Sequence, residues 1–268
     1  MGKSGIPYCD TAWNPFRGCK PRDPGCDKCW AARIAPRLGY GHLVERGPSG
    51  ALRFNGRIAV ERRATAPAVW RKPRVVFVQS MGDLFFYGAG ARQTVFEGML
   101  AAPQHTYLLC TKRPDAYFDK DWTREIADSS PKHNWWLGVT VTSEDQASRI
   151  QPLWQLAQAG WNTWVSYEPA LGPLDLEPWL PRGNDPGIRW VVCGGESGPH
   201  ARVMDRNWAR AARDACLEVG VPFYFKQWGS YADRFGPECC PAWGYTDDCG
   251  PRLPTLDGCT WRQTPWGQ

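Results

Sequence analysis

Three of the chain's eleven cysteines fall in one short stretch rich in Pro and Gly, Gly18-Cys19-Lys20-Pro21-Arg22-Asp23-Pro24-Gly25-Cys26-Asp27-Lys28-Cys29-Trp30. Six residues separate Cys19 from Cys26 and two separate Cys26 from Cys29, so three thiolates can converge on one inorganic centre without bending a helix or strand. Three thiolates leave one iron of an iron–sulfur cube without a side chain. That is what a cluster needs if it is to bind and cleave a small molecule rather than pass electrons between four-cysteine cages. Structural zinc takes four ligands, often as two short Cys pairs; the nearest further candidate is Cys9, ten residues before Cys19. Disulfides are the third alternative, against which the opening Met-Gly-Lys-Ser, with no apolar leader, points to a reducing, cytoplasmic interior. Spacing by itself leaves iron–sulfur, zinc and disulfide open.

The elements that must position such a loop come from the rest of the chain. Its 268 residues suffice for one α/β barrel of about 250 residues or for two small domains. A hydrophobic fraction of 43% suits a globular core, and no apolar run approaches the roughly 20 residues of a membrane span. Lys and Arg exceed Asp and Glu by 32 to 27, a net +5 that permits a polyanionic partner without requiring one. The sixteen tryptophans are many for this length; most are expected in the core, while some beside Arg and Lys would suit stacking on bases.

Residues 5–14 read as a first strand running into the cysteine loop, and Trp30 to Leu38 as a helix weakened by Pro36 and closed by Gly39. Tyr40 to Pro73 is an excursion rich in Gly, Arg and Pro that carries Arg53, Arg57, Arg62, Arg63, Arg71 and Lys72, followed by Arg74. It is either a substrate-facing surface or a solvated charged face. Regularity then sets in. Arg74 to Phe85 begins as a buried strand, and a helix with Val95, Phe96, Met99 and Leu100 on one face follows. Thr106 to Pro114 is the next strand, then a weak helical piece over Asp115–Trp122, then strand Trp135 to Thr142. Ser143-Glu144-Asp145-Gln146 has the form of a capping box before a helix with Ile150, Leu153, Trp154 and Ala157 inward, stopped by Gly160. Strands Thr163–Tyr167, Arg189–Cys193 and Phe223–Phe225 complete the series. Asp205 caps an intervening helix that carries Trp208, Ala212, Ala215 and Val219, with Gly220 after its end.

Six or seven alternating units imply an α/β fold with parallel strands, a partial to near-complete (β/α) barrel over residues 1–229. Residues 230–268, with Cys239, Cys240, Cys249 and Cys259, have no periodicity and read as an irregular extension that fits no firm metal template. In such barrels chemistry collects where strands end. Here those ends read Cys19/Cys26/Cys29, Met81-Gly82-Asp83, Lys112-Arg113, Thr142-Ser143-Glu144, Glu168, Gly194-Gly195-Glu196 and Lys226-Gln227-Trp228.

A cysteine loop after the first strand, followed by strand ends bearing acids and glycines, resembles the radical S-adenosylmethionine enzymes. Trp13-Asn14-Pro15, Ser80-Met81-Gly82-Asp83-Leu84-Phe85, Thr111-Lys112-Arg113-Pro114, Trp136-Leu137-Gly138-Val139, Glu168-Pro169, Leu171-Gly172-Pro173, Gly194-Gly195-Glu196-Ser197-Gly198-Pro199 and Phe225-Lys226-Gln227-Trp228-Gly229, in that order, are more closely similar to the phage-associated branch of that superfamily. The commonest superfamily loop has three residues between its first two cysteines and an aromatic before the third. Here there are six, Lys28 stands in the aromatic's place, and Trp30 lies on the other side of Cys29.

The resemblance implies a [4Fe–4S] cluster on Cys19, Cys26 and Cys29 whose open iron chelates S-adenosylmethionine. It also implies an external one-electron donor and a 5′-deoxyadenosyl radical that abstracts hydrogen from an unactivated carbon. By strand order Met81, Gly82, Asp83, Thr142, Glu144, Gly194 and Gly195 are cofactor-binding candidates, and Glu168, Glu196 and Lys112 are catalytic candidates. Arg113, Lys226, Gln227 and Trp228 are substrate-binding candidates, cations holding phosphates while an aromatic stacks a base. For each carboxylate a structural hydrogen bond or ion pair is the competing role. The implied activity is rearrangement or functionalisation of a modified thymine in phage DNA, in the host cytoplasm if phage-encoded. The alternatives are a radical enzyme acting on a free nucleotide or peptide, and a non-catalytic zinc-bound nucleic-acid module. No membrane partner is implied, and the oligomeric state is left open.

Overall fold

The runs of Val, Ile, Phe, Tyr and Trp fold as strands because their β-branched and aromatic side chains fill both faces of a pleated sheet. In the computed structural model, which describes residues 5–61, 66–119, 131–230 and 255–267, seven of them form one parallel sheet of the partial (β/α) barrel kind. The strands are β1 (Thr11–Trp13), β6 (Val75–Val78), β7 (Thr106–Thr111), β8 (Trp135–Val141), β9 (Asn162–Tyr167), β10 (Val191–Gly194) and β11 (Phe223–Gln227), adjacent in that order. Register is set by pairs such as Trp13 with Val78 and Phe77 with Leu108, and later Val191 with both Val165 and Phe223. Among the described residues, no helix is long and apolar enough to cross a membrane.

The chain divides within β8 into two compact units, Met1–Gly138 and Val139–Gln268. In the first, the helix Ala89–Leu100 buries Val95, Phe96 and Met99, and Phe96 stacks on Trp135 at 5.8 Å between ring centroids. Leu100, expected inward, is the helix's last residue and is 47% exposed. The expected strand over 5–14 is shorter: β1 stops at Trp13, and β2 (Phe16–Arg17) leads into the cysteine loop. The expected helix Trp30–Leu38 is an α-helix over Trp30–Ile34 and a 3-10 turn over Ala35–Leu38, Pro36 supplying no N–H and Gly39 closing the turn at φ +86°.

The excursion is more ordered than its composition suggests. β3 (Val44–Arg46) and β4 (Leu52–Phe54) make an antiparallel hairpin, and β5 (Ala59–Val60) pairs antiparallel with β2. Leu43 and Phe54 pack with Ala31, Ala32, Ala35 and Met81 in a small apolar cluster against which Cys19 and Cys29 rest. Arg62 and Arg63, and positions 120–122 of the expected helical piece, lie outside the described residues; a 3-10 turn over Pro114–Phe118 occupies its start.

In the second unit the helix Ile150–Gln158 buries Ile150, Leu153, Leu156 and Ala157, and Trp154 is only partly covered. The expected capping box is not made. Ser143 begins a 3-10 turn over Glu144–Arg149 without a side-chain cap bond, and Gln146 instead accepts the hydroxyls of Thr142 and Ser143 at 2.6 and 3.2 Å. Between β9 and β10 the crossover holds a single 3-10 turn, Glu177–Trp179. Asp205 does cap the helix Arg206–Glu218, accepting from the Asn207 N–H at 2.8 Å, while Val219 lies past its end and is exposed. Residues 255–267 return to β11: the Phe225 N–H donates to Trp261 O at 2.8 Å, and Trp266 packs edge-on against Trp190 at 5.0 Å. Residues 255–267 group with the second unit, Leu256 buried and Trp261 and Trp266 half-buried. Cys239, Cys240 and Cys249 lie outside the described residues.

Candidate metal centre and polar strand ends

The entrance to the cysteine loop is pinned to the end of β6 by groups that the motifs supply. Asn14 Oδ1 accepts from the Met81 N–H at 2.8 Å, and the Gly18 N–H donates to Met81 O at 3.1 Å. The Tyr87 hydroxyl then donates to Gly18 O at 2.7 Å. Gly18 adopts φ +103°, and a Cβ there would lie 2.1 Å from Arg57 O; a Cβ on Gly82 would lie 1.9 Å from Tyr87 Oη. Gly18 therefore answers to the Arg57 backbone and Gly82 to the Tyr87 hydroxyl and Gly18 O, which explains why Trp13-Asn14-Pro15 and Ser80-Met81-Gly82 occur together.

Cys19 leaves this junction, Cys26 ends the 3-10 turn Pro24–Cys26, and Cys29 sits at the start of the helix Trp30–Ile34. None of the described cysteines is in a disulfide. Burial pushes the Cys19 thiol well above its ordinary value, and the charges of Asp83, Cys29 and Cys26 push the same way while Arg113 opposes them. Burial likewise raises Cys29; the Ala32 N–H opposes this and the charge of Cys26 adds to it. The three sulfurs thus lie within each other's fields.

Donors point at two of them: the Arg22 N–H at 3.4 Å and Lys112 Nζ at 3.6 Å from Cys26 Sγ, and the backbone N–H groups of Ala32 and Ala31 at Cys29, while the Cys19 thiol donates to Lys20 O at 3.6 Å. Hydrogen bonds to sulfur and an apolar backing are how proteins accommodate cluster thiolates. Among the described residues, no three His, Cys, Asp or Glu side chains are grouped to hold a single metal ion, whereas one zinc needs its ligands converging at about 2.3 Å. Three cysteines on one loop, two of them with donors at their sulfurs, are a donor set that a [4Fe–4S] cluster would accept. The Cys9 thiol donates to Ile6 O at 3.7 Å.

The expected partners on β6 and β7 are present but differently engaged. Asp83 is buried, and its carboxylate accepts from the Phe85 N–H at 3.1 Å, Thr111 Oγ1 at 2.7 Å and the Lys112 N–H at 3.0 Å. It ties the end of β6 to the end of β7 beside the thiols. Met81 belongs to the apolar backing. Lys112, a catalytic candidate, pairs with Asp23 at 2.7 Å; burial lowers its pKa, but the charges of Cys26 and Asp23 outweigh burial and leave it raised. Arg113 Nη2 donates to Lys20 O at 2.9 Å and its guanidinium lies 5.4 Å from the centre of the Phe86 ring, so it braces the loop; its buried Nε has no hydrogen-bond partner. Asp23 was not singled out in the sequence, where a lone Asp in a Pro- and Gly-rich turn carries no pattern.

In the second unit, Lys226 Nζ lies 2.8 Å from Glu168 Oε1, and Ser166 Oγ donates to Glu168 Oε2 at 3.3 Å. A Cβ on Gly194 would come 3.0 Å from Glu168 Oε1, so the glycine leaves room for the pair. A Cβ on Gly195 would lie 1.9 Å from Trp228 O, so this glycine permits the close approach of the chain just past β11 to the end of β10. Glu196, a catalytic candidate, is held in a fork by Arg202, whose backbone N–H and Nε donate to Oε2 at 2.9 and 3.0 Å and whose Nη2 reaches Oε1. Gln227 Nε2 donates to Gly195 O at 2.8 Å and Ser197 Oγ at 3.1 Å, and Glu144 accepts from the Asp175 N–H at 2.9 Å. Trp228, expected to stack a base, is a core residue with Nε1 donating to Thr255 O at 3.0 Å and its ring against Phe225. Among the polar strand ends in this unit, Glu168 after β9 and Lys226 on β11 form an ion pair beside Gly194.

Fold and loop together define a parallel α/β protein of the partial-barrel class with three cysteines gathered on one loop at a strand end. The chain belongs to the family described as a protein of unknown function (DUF5131), whose profile matches residues 3–265. No curated protein and no solved structure matches it.

Proposed function

We propose that the chain is a radical S-adenosylmethionine enzyme that carries a [4Fe–4S] cluster on Cys19, Cys26 and Cys29 and modifies a nucleobase substituent, rearranging or functionalising a modified thymine in phage DNA. The observation that carries this is the set of three cysteines on one short loop, Cys19 and Cys29 resting against one apolar cluster and Cys26 Sγ facing the Lys112 ammonium at 3.6 Å. When bound, the cluster supplies the electron that cleaves S-adenosylmethionine to a 5′-deoxyadenosyl radical, the species that abstracts hydrogen. The chain's own share is positioning. Asn14, Tyr87 and the Gly18–Gly82 contact fix where the loop starts, and Asp83 locks the ends of β6 and β7 beside it. Ala31, Ala32, Leu43 and Met81 exclude water from behind Cys19 and Cys29, which protects a radical that attacks whatever is nearest. Glu168 and Lys226 are the pair assigned to the substrate, a carboxylate for proton handling and a cation for a phosphate.

Anaerobic purification tests this directly. The protein should be brown, and with dithionite and S-adenosylmethionine it should release 5′-deoxyadenosine. Cys26→Ala should abolish colour, iron and cleavage together. Mass spectrometry of digests then identifies the substrate, comparing phage-modified DNA with free nucleosides and peptides. Colourless protein with about one zinc per chain overturns the proposal in favour of a zinc-bound nucleic-acid module.

A further inference from the structure

Asp23 occupies the position from which an aspartate ordinarily caps a helical turn, yet its side chain makes no capping bond to the turn Pro24–Cys26. Its side chain is 2% exposed and accepts from Lys112 Nζ at 2.7 Å, and the same ammonium lies 3.6 Å from Cys26 Sγ. The root of Lys112 is fixed as well: its backbone N–H donates to Asp83 Oδ2 at 3.0 Å, and the next N–H, of Arg113, donates to Thr111 Oγ1 at 2.9 Å. Removing an ion pair from water costs more than it returns unless geometry is well satisfied. Here the geometry directs one cation at one sulfur.

We infer that Asp23 and Lys112 form a built-in clamp on Cys26, Lys112 donating to the cluster-bound thiolate and Asp23 acting as the positioning residue that aims it. This rests on the proposed cluster. A cation beside a thiolate ligand stabilises the more negative, reduced state and so raises the cluster's reduction potential. It also retains the ligand against competing chelators. Neither group is the acid or base of the reaction, which separates Lys112 from the catalytic role that its strand-end position suggested.

The test uses the full-length, anaerobically reconstituted protein and reads the cluster itself. Lys112→Met should shift the reduction equilibrium about tenfold toward the oxidised state, which is about 59 mV more negative for a one-electron couple, in a titration followed by paramagnetic resonance. Iron should also leave Lys112→Met and Asp23→Asn at least about tenfold faster with a ferrous chelator. Because Asp23 acts through Lys112, the double variant should lose iron no faster than Lys112→Met. Lys112→Arg, which keeps the charge, should stay nearer the unsubstituted protein. An unchanged potential in Lys112→Met, or additive effects in the double variant, overturns the clamp and leaves the proposed function standing. Failure of the unsubstituted protein to hold any cluster overturns both. Should Lys112→Met not fold, Asp23→Asn carries the test alone, and iron loss at the unsubstituted rate overturns the clamp.

Discussion

At the scale of single residues, the strand-end motifs do two different jobs that look alike in sequence. Gly194 leaves room for the Glu168–Lys226 pair, whereas its neighbour Gly195 exists for a backbone contact. A methyl group at 195 would sit 1.9 Å from Trp228 O, 2.5 Å from Trp228 C and 2.9 Å from Gly229 N, all backbone atoms that cannot rotate away as a side chain would. Gly195→Ala should therefore destabilise the protein by about 1–3 kcal/mol, the usual cost of overpacking, read as a lower urea midpoint at unchanged slope. The sequence marked both glycines and Glu196 as rim groups but could not sort them. Sorting depends on Arg202, six residues away in an aperiodic turn, and on Trp228 just past another strand. Asp23 was illegible for the same reason, since its partner Lys112 is 89 positions away.

At the scale of elements, the buried strands of the regular half were legible because apolar runs ending in polar turns have few other uses. The excursion and the tail were not. Strands of two or three residues such as β2 and β5 have no period to detect, and their register comes from partners more than 40 residues distant. The segment 255–267 is likewise recognised only through what it touches: Asp257 accepts from Arg210 and Arg213 of the helix Arg206–Glu218, and Arg213 lies over Trp261. The hydrogen bond from Arg210 is the main cause that holds the Asp257 carboxyl down at about 2; burial opposes it and Arg213 reinforces it. A folded value below the unfolded one of about 3.9 means that the charged form stabilises the fold above that pH and that its contribution fades as pH falls toward about 2. Asp257→Asn should cost up to about 1 kcal/mol near neutrality, the pair being partly exposed. Denaturant midpoints of the two proteins should converge on acidification, and a gap that holds constant from neutral to acid pH would contradict the ion-pair account.

At the scale of the whole molecule, the question is whether a net charge of +5 reaches a polyanion or merely keeps the protein soluble. The excursion's cations are not equivalent. Arg53 pairs with Glu45 at 2.9 Å, Arg46 donates to Gly50 O at 2.8 Å and Arg74 stacks against Trp70, which leaves Arg57, Arg71 and Lys72 as the exposed, undiverted charges among its described residues. Each phosphate neutralised on duplex DNA contributes about −0.9 to the slope of log affinity against log salt. Three such contacts give a slope of about −3, while a free nucleotide with its one phosphate cluster, bound through a single cation, gives about −1 or less in magnitude. Affinity for phage-modified DNA measured from about 50 to 200 mM salt should follow the steeper line. Arg71→Ala and Lys72→Ala should each flatten it by about one unit while leaving iron content and S-adenosylmethionine cleavage unchanged. A shallow slope unaffected by either substitution would assign the basic excursion to solvation, and the substrate would then have to be sought among free nucleotides or peptides.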